Sequence, residues 1–71
     1  MRDETLQKKV GLRIQELRKL KNVSQQELAA KCNFEKSNLS RLESGRVNST
    51  LATLNKVAQE LEVNIVELFK F

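Results

Sequence analysis

The chain has 71 residues, of which 13 are Lys or Arg, 9 are Asp or Glu and none is His, for a formal net charge of +4. A chain this short buries only about 60% of the surface its unfolded form exposes, which leaves room for a thin core and none for a large substrate cavity. With no His and one Cys there is no zinc ligand set and no intrachain disulfide, and two distant glycines, Gly11 and Gly45, cannot form a phosphate-cradling loop. Neither metal, cofactor nor catalysis is expected. No apolar run approaches the ~18 to 20 residues of a membrane span, and the N-terminus lacks the apolar stretch of a secretory signal; both predict a soluble, cytoplasmic protein.

The absence of Pro and the abundance of Leu, Lys, Glu and Gln predict an all-α chain. Apolar spacing divides it into five helices. After a flexible polar arm, Met1 to Glu4, the first helix runs from Thr5 to about Lys21, capped by Thr5 or Asp3 and buried along Leu6, Val10, Ile14 and Leu17. Asn22 closes it. Ser24-Gln25-Gln26-Glu27 is a capping box that opens a second helix, buried through Leu28, Ala29 and Cys32, with Asn33 at its end. Cys32 reads as a small core residue rather than a redox sensor. The third helix, about Lys36 to Ser44, buries Leu39 and Leu42 and stops at Gly45. Ser49 or Thr50 caps the fourth, whose apolar face is Leu51, Leu54, Val57, Ala58 and Leu61. Asn64-Ile65-Val66-Glu67, a looser capping box, starts a fifth that buries Ile65 and Leu68, with Phe69 either joining that face or left for a neighbour. Without repeats or a Gly/Ser linker, residues 1–71 are read as one domain.

Gln25 to Ser44 is the most specific stretch. Two short helices meeting near a right angle need a small residue at their approach, Ala29, and a permissive backbone at the corner, Asn33, with Leu28, Cys32, Phe34, Leu39 and Leu42 holding the angle. Here the chain resembles the helix-turn-helix proteins of the phage repressor, Cro and Xre type. The resemblance spans Val10 to Leu68 and rests on Leu-Arg, Ser-Gln-x-Glu-Leu-Ala, Leu-Ser-Arg-Leu-Glu-x-Gly and Leu-x-x-Val-Ala at their separations. It implies a compact five-helix, lambda-repressor-like domain whose third helix enters the DNA major groove. Asn33 and Glu62 stand where the family usually has Gly, and Glu35 stands where Ser or Thr usually caps the recognition helix. Asn33 tolerates the geometry, Glu62 implies strain of about 1 kcal/mol, and the Glu35 carboxylate repels phosphates unless it accepts from a cytosine amine.

With Leu39 and Leu42 inward, the outward stripe of helix three holds Lys36, Ser37, Ser40, Arg41 and Ser44. Lys36, Ser37, Ser40 and Arg41 are the expected base contacts. By resemblance, phosphate contacts fall to Ser24, Gln25, Gln26, Ser44, Arg46, Asn48 and Ser49, and Arg18 with Glu43 match a pair that bridges helix one to the end of helix three. Ser24 and Glu27 cap a helix with or without DNA. Leu12, Leu20 and Val47 are hard to bury in one domain, as are Val66, Phe69 and Phe71; family members pair through helices four and five, so the last three are the dimer candidates.

The expected partners are double-stranded DNA and a second copy of the chain, with no membrane and no small-molecule ligand. The implied function is a sequence-specific transcriptional regulator, a repressor on a palindromic operator; the alternative is an antitoxin or a protein-interaction module on the same scaffold. Charge alone supports DNA weakly: residues 1–21 carry 7 basic and 3 acidic groups, residues 22–48 carry 4 and 3, and residues 49–71 carry 2 and 3.

Overall fold

The computed structural model describes residues 4–71, with only the backbone of Glu4. Among them are four α-helices, α1 (Glu4–Leu20), α2 (Gln25–Cys32), α3 (Lys36–Glu43) and α4 (Leu51–Glu60), followed by a 3₁₀ helix at Ile65–Phe69. The arm expected at Met1 to Glu4 and the cap at Asp3 lie outside the described side chains. Thr5 is not a cap, because α1 has already begun at Glu4.

The expected fifth α-helix is instead a 3₁₀ helix, stabilised by a bond from the Glu67 N–H to the Asn64 carbonyl at 2.9 Å. Five residues are too few to repay α-helix nucleation, whereas a three-residue repeat sets Ile65 and Leu68 on one side, where Leu68 is fully buried. Asn64 caps this turn by accepting from the Val66 N–H at 3.0 Å. Its expected capping box does not close, since Glu67 reaches Lys70 Nζ at 2.7 Å and Arg13 Nη2 at 3.2 Å.

Each α-helix ends in the same way. Asn22, Asn33, Gly45 and Glu62 have φ of 57°, 60°, 75° and 59°. The next N–H then turns back to a carbonyl five residues earlier: Val23 to Arg18, Phe34 to Ala29, Arg46 to Arg41 and Val63 to Ala58, all at 2.8–3.0 Å. Val23, Phe34 and Val63 follow that corner with apolar side chains packed on the core. Asn and Gly take this conformation readily; Glu62 carries a Cβ penalty there.

The core joins Val10, Ile14 and Leu17 of α1 to Leu28, Ala29 and Cys32 of α2. Leu39 and Leu42 of α3, Leu54, Val57 and Ala58 of α4, then Leu61 and Leu68 complete it. Burial pushes the Cys32 thiol above its ordinary pKa, in keeping with a packing role. Phe34 and Val47 pack against this core, and Ile65 is half-buried. Leu6 and Leu51 leave the expected interior, at 44% and 72% exposure, and of the two places open to Phe69 the surface is the one it takes, at 39%. Leu51 sits in the opening turn of α4 and Phe69 at the end of the 3₁₀ helix, positions with a neighbouring turn on one side only.

Helix α1 packs on α3 and on the 3₁₀ helix, while α2 packs on α3 and α4. The close α1–α3 approach depends on both glycines. A Cβ at Gly11 would strike the carbonyl oxygens of Glu43 and Leu42, the latter at 2.6 Å, and one at Gly45 would lie 2.7 Å from Lys8 Cα.

Candidate nucleic-acid interface

The interface starts from a buried carboxylate. Glu43, the last residue of α3, is 1% exposed, and a buried charge of this kind requires partners that satisfy it. Arg18 of α1 provides a two-pronged contact, Nε to Oε2 at 2.9 Å and Nη2 to Oε1 at 3.2 Å, while its Nη1 donates to the Val23 carbonyl at 3.1 Å. Gln25, the first residue of α2, adds a bond from Nε2 to Glu43 Oε1 at 3.1 Å. No buried polar side-chain atom is left without a partner among the described residues. One carboxylate thus ties together α1, the start of α2 and the end of α3.

This tie orients the start of α2. Ser24 accepts from the Glu27 N–H, and Glu27 accepts from the Ser24 N–H, both at 3.0 Å, closing the capping box. The Ser24 backbone N–H, with its hydroxyl as a second partner, holds the Glu27 carboxyl below its ordinary pKa. The Gln25 amide has one N–H on Glu43 and a second to spare. Gln26 is exposed, and the backbone N–H groups of both glutamines, at the first two positions of the helix, have no intrahelical acceptor. The spare Gln25 amide N–H and these two backbone N–H groups are three donors at the positive end of a helix, an arrangement that suits a phosphate.

Helix α3 presents its polar side outward. Lys36, Ser37, Ser40 and Arg41 are all exposed, and none of their side chains has a hydrogen bond or ion pair with a described residue. Glu35 is the N-cap of α3 by backbone, yet its carboxylate makes no capping bond. Beyond the helix, Arg46 and Asn48 are exposed and Ser49 is half-buried beside α4. Ser44 differs from the other expected anchors: its Oγ donates to the Arg41 carbonyl at 3.0 Å, so its only hydroxyl proton is committed and an acceptor-only phosphate oxygen gains nothing from it. Cap selection at α4 falls to Thr50, which accepts from the Thr53 N–H at 3.1 Å, and this leaves the Ser49 side chain uncommitted.

Val66, Phe69 and Phe71 are exposed, at 56%, 39% and 58%. Phe69 and Phe71 have different neighbours. The Phe71 ring lies beneath Lys9 Nζ of α1, 5.6 Å from its centroid, whereas Phe69 borders an apolar groove with Leu6, Val47, Leu51 and Leu54. Sequence reasoning missed Gln25 as a partner of Glu43, Gly11 as the α1–α3 contact and the link from Arg13 to Glu67. Only Gly11 carried a local signal: a glycine inside a helix lowers its stability by about 1 kcal/mol, which calls for a packing reason.

Two short helices set at a left-handed corner, with an unpartnered polar stripe on the second, define a helix-turn-helix fold. The family model described as helix-turn-helix matches residues 14–68. The chain is 43% identical over 63 residues to an uncharacterised HTH-type transcriptional regulator of Sinorhizobium fredii, covering 89% of this chain and 82% of that one. It is 39% identical over 56 residues to the immunity repressor protein of Bacillus phage phi105, covering 79% of this chain and 39% of the phage protein. Among solved structures, the restriction-modification controller protein C.AhdI of Aeromonas hydrophila superposes with a TM-score of 0.84 at 35% identity, over 87% of this chain and 94% of that one. The chain belongs to the helix-turn-helix family of the Xre, Cro and C1 type, whose members are non-enzymatic DNA-binding transcriptional regulators. No helix among the described residues is long and apolar enough to cross a membrane.

Proposed function

We propose that this protein is a sequence-specific repressor that binds a palindromic operator in double-stranded DNA as a homodimer, with α3 in the major groove. The observation that carries this reading is the outward stripe of α3, where Lys36, Ser37, Ser40 and Arg41 are exposed and have no partner among the described residues. Lys36 and Arg41 are donor-only groups suited to the O6 and N7 acceptors of guanine, and the two serines fit either kind of base atom. Ser24, Gln25 and Gln26 anchor one phosphate run through α2, while Arg46, Asn48 and Ser49 anchor the other; Ser44 shapes the end of α3 instead of binding phosphate through its hydroxyl.

Each subunit offers few contacts, so tight binding requires two. Phe69 and Val66 lie on the surface by which the subunits join, together with Leu51 at the groove edge. The phage immunity repressor and the restriction-modification controller among the relatives support regulation of transcription from such a site in the cytoplasm.

Selection of bound duplexes from a random pool tests the whole reading. The expected result is a palindromic consensus with half-sites one DNA turn apart, about 34 Å. In the same assay Arg41→Ala costs about 1 to 3 kcal/mol on the selected site and relaxes preference at one base pair. Absence of enrichment at moderate salt refutes the proposal.

A further inference from the structure

Glu35 stands at the foot of α3 with a carboxylate that no described residue uses. The other three N-cap residues, Ser24, Thr50 and Asn64, each turn a side-chain oxygen onto a first-turn N–H at 3.0–3.1 Å. Glu35 has the same extended backbone, φ −72° and ψ 145°, but forms no such bond. Its side chain is exposed and has neither a hydrogen bond nor an ion pair with any described residue. The nearest cation in sequence, Lys36, is equally unpaired. With Lys36, Ser37, Ser40 and Arg41, Glu35 makes five exposed polar side chains in sequence at α3 that have no partner among the described residues, and Glu35 is the one acceptor without a donor.

We infer that Glu35 is a specificity-determining residue that accepts a hydrogen bond from the exocyclic amine of a cytosine at the edge of each half-site; this rests on the DNA-binding reading above. A carboxylate brought against DNA is repelled by the phosphates, and only a donor on a base edge offsets that repulsion. In the major groove such donors are the N4 amine of cytosine and the N6 amine of adenine. Adenine sets its N7 acceptor beside that amine, which meets the second carboxylate oxygen lone pair to lone pair. Cytosine has no acceptor of its own on that edge. Guanine and thymine present only acceptors to the incoming group, so they leave the charge buried and unpaired. Glu35 therefore acts by rejection as much as by attraction. Lys36, one residue along, is donor-only and complements a guanine, so the first turn of α3 favours a half-site edge that combines cytosine with guanine.

The test applies the random-pool selection to the full chain and to Glu35→Gln and Glu35→Ala, with circular dichroism showing that all three share one fold. The unmodified chain should place cytosine at one column of each half-site. Glu35→Gln, with a donor and an acceptor side by side, should move that column to adenine, and Glu35→Ala should leave it degenerate while the other columns hold. On purified duplexes, exchanging that cytosine for thymine should weaken the unmodified chain about tenfold and the Ala variant less than about twofold. An identical consensus from all three proteins overturns the inference and leaves the DNA-binding reading standing. So does a Glu35→Ala variant that binds every sequence more tightly with no column altered, since Glu35 would then only repel. If the unmodified chain enriches nothing, the DNA-binding reading fails first and this inference with it.

Discussion

Replacing Gly11 with Ala sets two well-calibrated effects against each other. Gly11 lies inside α1, where Ala is the better helix former by about 1 kcal/mol. Against that, the new methyl would meet the Glu43 carbonyl oxygen, the Leu42 carbonyl oxygen at 2.6 Å and the Glu43 carbonyl carbon at 2.8 Å. All three are backbone atoms at the end of α3, so no side chain can swing aside and the helices must separate. Overpacking of this kind costs about 3 kcal/mol, and any separation also lengthens the Arg18–Glu43 contacts of 2.9 and 3.2 Å. The net loss is about 2 kcal/mol, which for a chain of this size lowers Tm by about 10 °C. Thermal unfolding followed by circular dichroism measures it directly. A Tm equal to or above that of the unmodified chain would mean that helix propensity prevails, and the close α1–α3 approach would no longer explain Gly11.

Four further expectations follow from the same geometry. Glu43→Gln leaves the largely buried Arg18 guanidinium without its counter-charge and should cost about 3 kcal/mol or more; a fall in Tm of only a degree or two contradicts this. Glu62→Gly removes the Cβ penalty at φ 59° and should stabilise by about 1 kcal/mol, read as a higher urea midpoint with an unchanged slope. The Lys70 ammonium, with Arg13 behind it, holds the Glu67 carboxyl below its ordinary pKa, so this group's contribution is present above the ordinary carboxylate range and is lost as pH falls through the depressed value. Tm should therefore drop more steeply below about pH 4 in the unmodified chain than in Glu67→Gln, and parallel curves would disprove it. Phe69→Ser should shift sedimentation toward the monomer while Phe71→Ser, whose ring is engaged with Lys9, should not; the reverse ranking would move the dimer surface to α1.

Most of the helical framework was legible because its signals are local. A capping box, an αL residue and an apolar stripe each act within a few residues, and Ser24, Asn22, Asn33 and Gly45 all stand where those signals place them. Burial at helix ends was not legible in the same way. Leu51 continues the apolar face of α4, but its exposure is decided by whether anything packs over the opening turn, and that depends on elements far away in the chain. The final helix failed for a related reason: Asn64 to Glu67 has the composition of a capping box, yet Lys70 and Arg13 compete for the carboxylate that would close it.

At the interface the outward stripe of α3 followed from the inward placement of Leu39 and Leu42, since a short helix with two buried positions leaves little freedom for the rest. What the spacing cannot encode is the bonding state of each polar group. Gln25 and Ser44 have the residue types of phosphate ligands, but one gives an N–H to Glu43 and the other gives its only proton to Arg41. Those bonds separate the two residues functionally. Gln25 keeps a second N–H, so the bond to Glu43 fixes the amide's direction without exhausting it, which is what the phosphate role proposed for it requires. Ser44 has no proton left and serves only the closure of α3. The same test applied to Glu35 runs the other way: an acceptor that declines its local cap has its full capacity available to a base.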